Sequence, residues 1–188
     1  MKIYRYEDSL AEIVNSPVPT CFLAGPTVRG NQPHLISWRF DAIREFEKQG
    51  FDGSLIIPEF TSKTESDKGK RWIPKWEFAG LSGCDIIMFW IPRTKELIGL
   101  TTNHEHGYWL GKLSHKMVYG RPEESYRNTY LDEMWEIDAY QNYRFPMPIH
   151  KTLEATVDAV INKTITSEFL LVNREKSKIF VASPYGAF

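Results

Sequence analysis

Glu105 lies between two histidines in TTNHEHGYWLGK, residues 101–112. The stretch follows an apolar run and leads into a helical pattern. It therefore occupies a strand-to-helix connection, the kind of segment on which α/β proteins carry reactive groups. Two readings compete. A carboxylate in the first turn of a helix is favoured by the macrodipole, and most such glutamates only open the helix. Alternatively, Glu105 is a nucleophile that the helix N-terminus holds ionised. Glu77, in PKWEFAGLSGCD, is the second carboxylate of interest. Its ordinary reading is a solvated helix position. However, Trp72, Trp76 and Phe78 crowd it in sequence, and rings around a carboxyl group raise its pKa, which suits a proton donor.

The remaining candidates would shape a pocket. LAGPTVRG (23–30) is a Gly-Pro turn with a basic residue. It is neither GxGxxG nor a P-loop, so it carries no dinucleotide or Mg-ATP fingerprint. It is either an ordinary tight connection or a backbone wall at Gly25 and Pro26, with Arg29 or Asn31 reaching a ligand. Thr102 and Asn103, just before Glu105, are further binding candidates. Trp38, Trp76 and Tyr108 are core residues or a stacking wall. Asp85 directly precedes the most apolar run, where capping a turn is its simplest role, and it too is carried as a binding candidate. His104 and His106 are two apart, which on a helix sends them to different faces and argues against a shared metal ion. No metal site and no GxSxG triad is expected.

Five apolar runs would position these residues. TCFLAG (20–25), SLIIPEF (54–60), DIIMFWIP (85–92), KMVYGRP (116–122) and FPMPIH (145–150) read as strands. The third lacks alternation, as a central parallel strand covered on both faces would. Helical patterns separate them at 33–50, 71–84, 103–114 and 151–162. Leu35, Trp38, Ile43 and Phe46 share one stripe, with Gly50 where a C-terminal cap belongs. Pro74 stands near a helix start. In the last helix Leu153, Val157, Val160 and Ile161 fall on one face. The alternation predicts an α/β domain over residues 1–165 with a doubly wound, mostly parallel five-stranded sheet and helices on both faces. Residues 166–188 are expected to add a β-hairpin-like extension of that domain, two β-rich runs around NREKSK. Ligands of such sheets bind outside the carboxyl ends of the strands, where the segments 25–32, 59–72 and 92–105 should meet. The polar segment 59–72 is either a lid or simply a loop.

Composition excludes several classes. Of the 188 residues, 23 are basic and 24 acidic, so the chain has no electrostatic footprint for nucleic acid or an anionic membrane. No apolar run approaches the ~20 residues that span a bilayer. MKIYRYEDSL lacks a signal-peptide core, and Cys21 and Cys84 both fall in apolar stretches. These features predict a cytoplasmic protein with two buried, reduced thiols.

Several of these segments together resemble the nucleoside 2-deoxyribosyltransferase superfamily, in particular its deoxyribosyltransferase-like branch of bacteria and phages. The likeness rests on FLAGPT, WEFAGLSGCDIIMFWIPR, TTNHEHGYWLGK with its E-x-G-Y, and MVYGRPE, and it covers residues 20–162 in order. It implies a flavodoxin-like fold, Glu105 as nucleophile and Glu77 as the acid that contacts the base. The best-known members carry Asp at that second position, and also an Asp shortly before the nucleophile, where this chain reads LIGLTTNH. Asn128 matches most closely the Asn that helps hold the sugar in the family.

The resemblance implies transfer of a 2′-deoxyribosyl group between nucleobases. Glu105 would attack the anomeric carbon, as in retaining glycosidases, and Glu77 would protonate the leaving base. No cofactor is needed. The partners are nucleosides and nucleobases, and shared sites within the family imply a homo-oligomer. A hydrolase of nucleosides, nucleotides or NAD-like N-glycosides is the first rival, with Thr101, Thr102 and Arg29 available for a 5′-phosphate. A non-catalytic nucleotide-sensing module is the second.

Overall fold

The computed structural model describes residues 1–29, 32, 34–61 and 70–165. The expected C-terminal hairpin (166–188), Asn31 and most of the 59–72 loop lie outside these residues.

Six strands are present among the described residues: β1 (Lys2–Tyr4), β2 (Thr20–Ala24), β3 (Ser54–Ile56), β4 (Ile86–Trp90), β5 (Met117–Gly120) and β6 (Ile149–His150). They form one sheet in the order β1-β3-β2-β4-β5-β6, and every pairing is parallel. The order of β2 to β6 is compatible with a flavodoxin-like sheet. The expectation of five mostly parallel strands is therefore corrected to six fully parallel ones. The additional strand, β1, is three residues long at the sheet edge. Alternation over three residues is too short to be read as a strand from sequence.

Six helices connect and cover the strands: α1 (Leu10–Val14), α2 (Arg39–Lys48), α3 (Ile73–Gly83), α4 (Leu100–Leu113), α5 (Thr129–Asp138) and α6 (Leu153–Ile165). Neither α1 nor α5 was expected. The buried Leu131 and Trp135 of α5 are four apart, at helical spacing, but acidic residues dilute the stripe.

Alternation along β2 shows how the layers form. Phe22 and Ala24 join one core with Ile13 of α1, Trp76 of α3, Trp109 of α4 and Trp135 of α5. Cys21 and Leu23 face the other core, with Phe46 of α2 and Val157 and Val160 of α6. The connection from β2 to β3 runs one way across the sheet, with its helix on the second face. The connections through α1, α3, α4 and α5 run the other way, with helices on the first face. All five crossovers thus share one hand, as they must if each is right-handed. Between β2 and β4 the winding reverses direction, and a crevice opens at their carboxyl ends. Cys21 and Cys84 are both buried free thiols, and burial pushes Cys84 up to about 12. Among the described residues, no helix is long and apolar enough to cross a membrane.

Candidate active site

A cavity of about 190 Å³ occupies this crevice. After β2 it is lined by Ala24, Gly25, Thr27 and Arg29, after β3 by Pro58, and from α4 by Thr101 and Glu105. The start of α3 supplies Ile73, Pro74 and Glu77, and Tyr6 enters from beyond β1. Of the sequence-derived candidates, the fold thus brings Gly25, Arg29, Glu77, Thr101 and Glu105 to one cavity. The other candidates among the described residues lie elsewhere.

The position of Glu105 differs from expectation in two ways. The helix does not begin at Asn103. It begins at Leu100, after Gly99 in the left-handed conformation (φ 62°), so Glu105 lies in the second turn and the first turn holds no acid. The macrodipole is felt within the first turn and does little for a side chain placed beyond it. Nor is Glu105 held ionised at its ordinary range. Burial, and then the negative charge of Glu77, push it up to about 7, while Arg39 pulls it down. Glu105 makes no side-chain hydrogen bond among the described residues. A half-buried carboxyl group left without a partner, facing a cavity, is available to a ligand.

Glu77 lies in the second turn of α3 and accepts a 2.5 Å hydrogen bond at Oε1 from the Tyr6 hydroxyl. Tyr6 is buried and packs among Phe60, Trp72 and Trp76, with ring centroids 4.9, 5.8 and 5.0 Å away. The N-terminal segment is tied down beside the loop after β3, where the Thr61 amide donates to Glu7 Oε1 at 2.7 Å.

Arg39 holds the wall after β2 in place. Its side chain is fully buried and donates to the carbonyls of Leu23 and Gly25, each at 3.0 Å. Nη1 reaches Glu59 Oε1 at 2.8 Å and Thr27 Oγ1 at 3.3 Å. The cation thus shapes the GPT turn and supplies the positive charge that draws Glu105 down. Gly25 is required here. Its φ is 153°, and a Cβ would fall 2.2 Å from the Trp90 carbonyl oxygen and 2.8 Å from the Trp38 ring.

The aromatic candidates are structural. Trp38 is buried beneath Gly25 in the second core and donates from Nε1 to the Pro26 carbonyl at 2.9 Å, which holds Pro26 outside the cavity lining. Trp76 is buried in the first core with its Nε1 on the Asp8 carbonyl at 3.3 Å. Tyr108 packs on Phe78 and Trp109 on the outer side of α4 and is partly exposed.

The polar candidates also have other partners. Asp85 is at the amino end of β4, the opposite end from the cavity, and accepts from the Thr20 amide at 2.8 Å and the Thr20 hydroxyl at 3.0 Å. Thr102 is buried beside Gly99. Asn103 accepts at Oδ1 from Arg93. Asn128 is buried at the start of α5 and donates to the Ile91 carbonyl at 3.2 Å and to Ser125 Oγ at 2.8 Å. His104 is exposed and His106 fully buried, so the two do face apart. Among the described residues, no three Asp, Glu, His or Cys side chains gather as metal ligands.

Two cavity residues were not read from the sequence. Arg39 stood in WRF at a position whose apolar neighbours signalled burial, and a cation there needs acceptors. Tyr6 stood in KIYRYE, whose Ile3, Tyr4 and Tyr6 hint at an edge strand followed by an inward ring.

The fold and the site define an α/β protein with a parallel sheet and a carboxylate pair in a crevice at its topological switch point. Compared with known proteins, the chain matches no family model, no curated protein and no solved structure.

Proposed function

We propose that this protein is a nucleoside 2-deoxyribosyltransferase-like enzyme on a flavodoxin-like scaffold. It cleaves the N-glycosidic bond of a 2′-deoxynucleoside and transfers the deoxyribosyl group to another nucleobase. The observation that carries the reading is Glu105. It is half-buried, without a hydrogen-bond partner among the described residues, and faces a switch-point cavity with a second carboxylate close enough to oppose its ionisation. A nucleophilic carboxylate beside a proton donor is the pairing that retaining glycosidases use. Glu105 attacks the anomeric carbon through an oxocarbenium-like transition state and forms a glycosyl ester. Glu77 passes a proton to the departing base. A second base then attacks the ester and leaves as a new nucleoside.

Hydrolysis of a phosphorylated substrate is the second reading. The basic residues Arg29 and Lys70 on the cavity lining, with Thr101 near the start of α4, favour it.

The test is chromatography of deoxyadenosine, deoxyguanosine, deoxycytidine and thymidine incubated with the protein, with and without a different free base. A new nucleoside is expected only when the acceptor base is present. The Glu105→Ala variant should lower its formation by at least ~10³-fold, as loss of a covalent nucleophile does. Free base released regardless of acceptor assigns the hydrolase reading. No reaction with these nucleosides, their 5′-phosphates or NAD overturns both.

A further inference from the structure

The cavity holds two carboxylates that oppose each other's ionisation, and a tyrosine from outside the core sheet contacts only one of them. We propose that Tyr6 is a positioning residue for this pair: its hydroxyl, on Glu77 Oε1, fixes Glu77 and keeps the pair's negative charge there, so that in the empty site Glu105 carries the proton. The inference rests on the enzymatic reading above and adds where the proton of that reaction resides.

The argument begins with geometry. A phenol that donates to a carboxylate oxygen at 2.5 Å stabilises the ionised form of that carboxylate. Glu105 receives no such hydrogen bond from the described residues. Two neighbouring carboxyl groups share their protons, and the group without a donor keeps the last one. The position of Glu105 at about 7, raised by burial and by the charge on Glu77, is consistent with this order. The Tyr6 ring is held by Phe60, Trp72 and Trp76, so its hydroxyl is aimed at Glu77 before any ligand arrives.

The consequence is a balanced first step. The empty site holds Glu105 as the acid and Glu77 as the carboxylate. When substrate binds, the proton moves from Glu105 to Glu77. The Glu105 carboxylate then forms the bond to the anomeric carbon while the N-glycosidic bond breaks. The electron pair of that bond goes to the base, which takes the proton from Glu77. The products are a neutral glycosyl ester, a neutral base and the Glu77 carboxylate, so atoms and charge are conserved. No proton need enter from solvent. The pair must therefore hold one proton, and kcat/KM should fall as pH rises through about 7, where Glu105 loses it.

The test is a carboxyl-carbon NMR titration of the full chain labelled with ¹³C at glutamate, in the wild type and in Tyr6→Phe. Glu105→Gln and Glu77→Gln assign the two signals. Phenylalanine keeps the ring packing, and Tyr4→Phe, which alters a hydroxyl directed at the Glu12 carbonyl 3.4 Å away, serves as the control. In the wild type and in Tyr4→Phe, the Glu105 carbon should titrate near 7 and the Glu77 carbon below it. In Tyr6→Phe the order should exchange, with the Glu105 midpoint falling by about one unit or more. The upper limb of kcat/KM should then move to higher pH, because the last proton comes off Glu77. A merely structural role would lower kcat at every pH and leave the two midpoints in place. Unchanged midpoints in Tyr6→Phe, or a Glu77 carbon that already titrates above Glu105 in the wild type, overturn the proposal. If no N-glycoside is turned over by the wild type, the proposed function fails, and the titration still decides where the proton lies.

Discussion

The two sides of α4 balance buried charge differently. On the cavity side Glu105, Glu77 and Glu59 stand with three cations, Arg39, Arg29 and Lys70, and Glu105 has no hydrogen-bond partner among the described residues. On the α5 side one cation has a carboxylate partner and another does not. Arg121 is matched by Asp132, which also accepts from the Tyr119 hydroxyl at 2.8 Å. Arg93 is buried on carbonyl oxygens and Asn103, with no carboxylate partner among the described residues. His106 faces this side, ringed by Phe89, Tyr119 and Trp135, with neither ring nitrogen hydrogen-bonded. Burial, and then Arg93, push it down to about 4. Glu105 and His106 are consecutive residues, and both are held neutral in the folded chain near the acid end of the neutral range. The difference lies in access. The Glu105 carboxyl group borders a space that a ligand can fill, whereas the His106 ring on the α5 side is closed in. A titratable group held neutral by burial thus reads as a reactive site on one side and as a stability cost on the other.

The largest effect that would break the comparison is loss of Arg39. Removing one member of a buried pair leaves the other charge uncompensated, and here the Leu23, Gly25 and Pro26 carbonyls and the Thr27 hydroxyl each lose a donor as well. Arg39→Met should cost about 3–5 kcal/mol in urea denaturation. It should also move the Glu105 titration above 7, because Arg39 is the charge that lowers it. Arg39→Lys should recover little, since a single ammonium cannot reproduce the fork that spans Leu23, Gly25 and Glu59. An unchanged Glu105 midpoint in Arg39→Met would show that the cation supports only the loop.

Glu105→Gln sharpens the comparison from the cavity side. The carboxyl group titrates near 4.5 when unfolded and near 7 when folded. Its contribution to stability is therefore complete below 4.5 and is lost as pH rises through 7. For a group that is partly solvent-accessible the loss is up to ~3 kcal/mol. Glutamine removes the titration, so the variant should gain stability over the wild type above pH 7 and little below pH 4.5. Urea midpoints at pH 5 and pH 8.5 measure the difference. Equal gains at both pH values would mean that Glu105 costs stability through packing instead of charge.

The core of this arrangement was legible in the sequence because it rests on strong local signals. Five strands and four helices were marked by apolar runs and helical spacing, and the carboxyl ends of those strands placed Glu105 at the crevice, whereas Glu77 was joined to it only by the resemblance. What escaped was set by weaker signals. β1 is three residues at an edge, and its register depends on β3, which is distant in the chain. Without β1, Tyr6 has no reason to be near Glu77. The start of α4 was obscured because Gly99 and Leu100 look like loop, and only the left-handed φ of Gly99 shows where the helix begins. Trp38, Trp76 and Tyr108 were candidate walls because a large ring suits a pocket and a core equally well. Only the indole bonds to Pro26 and Asp8, and the exposure of Tyr108, assign them to packing.

The smallest effect comes from the closed side. His106 titrates near 6.5 when unfolded and near 4 when folded. Its contribution is present above 6.5 and is lost as pH falls through 4, which is the opposite slope from Glu105 over nearly the same range. In the wild type the two slopes offset each other, so stability should vary little between pH 4.5 and 6.5. His106→Leu removes two unsatisfied buried nitrogens from an aromatic pocket and should change stability by only about 1–2 kcal/mol at neutral pH, in the stabilising direction. Its sharper signature is the profile. With His106 gone, the slope of Glu105 stands alone and stability should fall steadily as pH rises from 4.5 to 7. In Glu105→Gln the slope of His106 stands alone and stability should rise from pH 4 to 6.5. The double variant should be flat again. Denaturation of the four proteins across this range is the check, and parallel profiles for the two single variants would show that the adjacent residues do not titrate into separate environments.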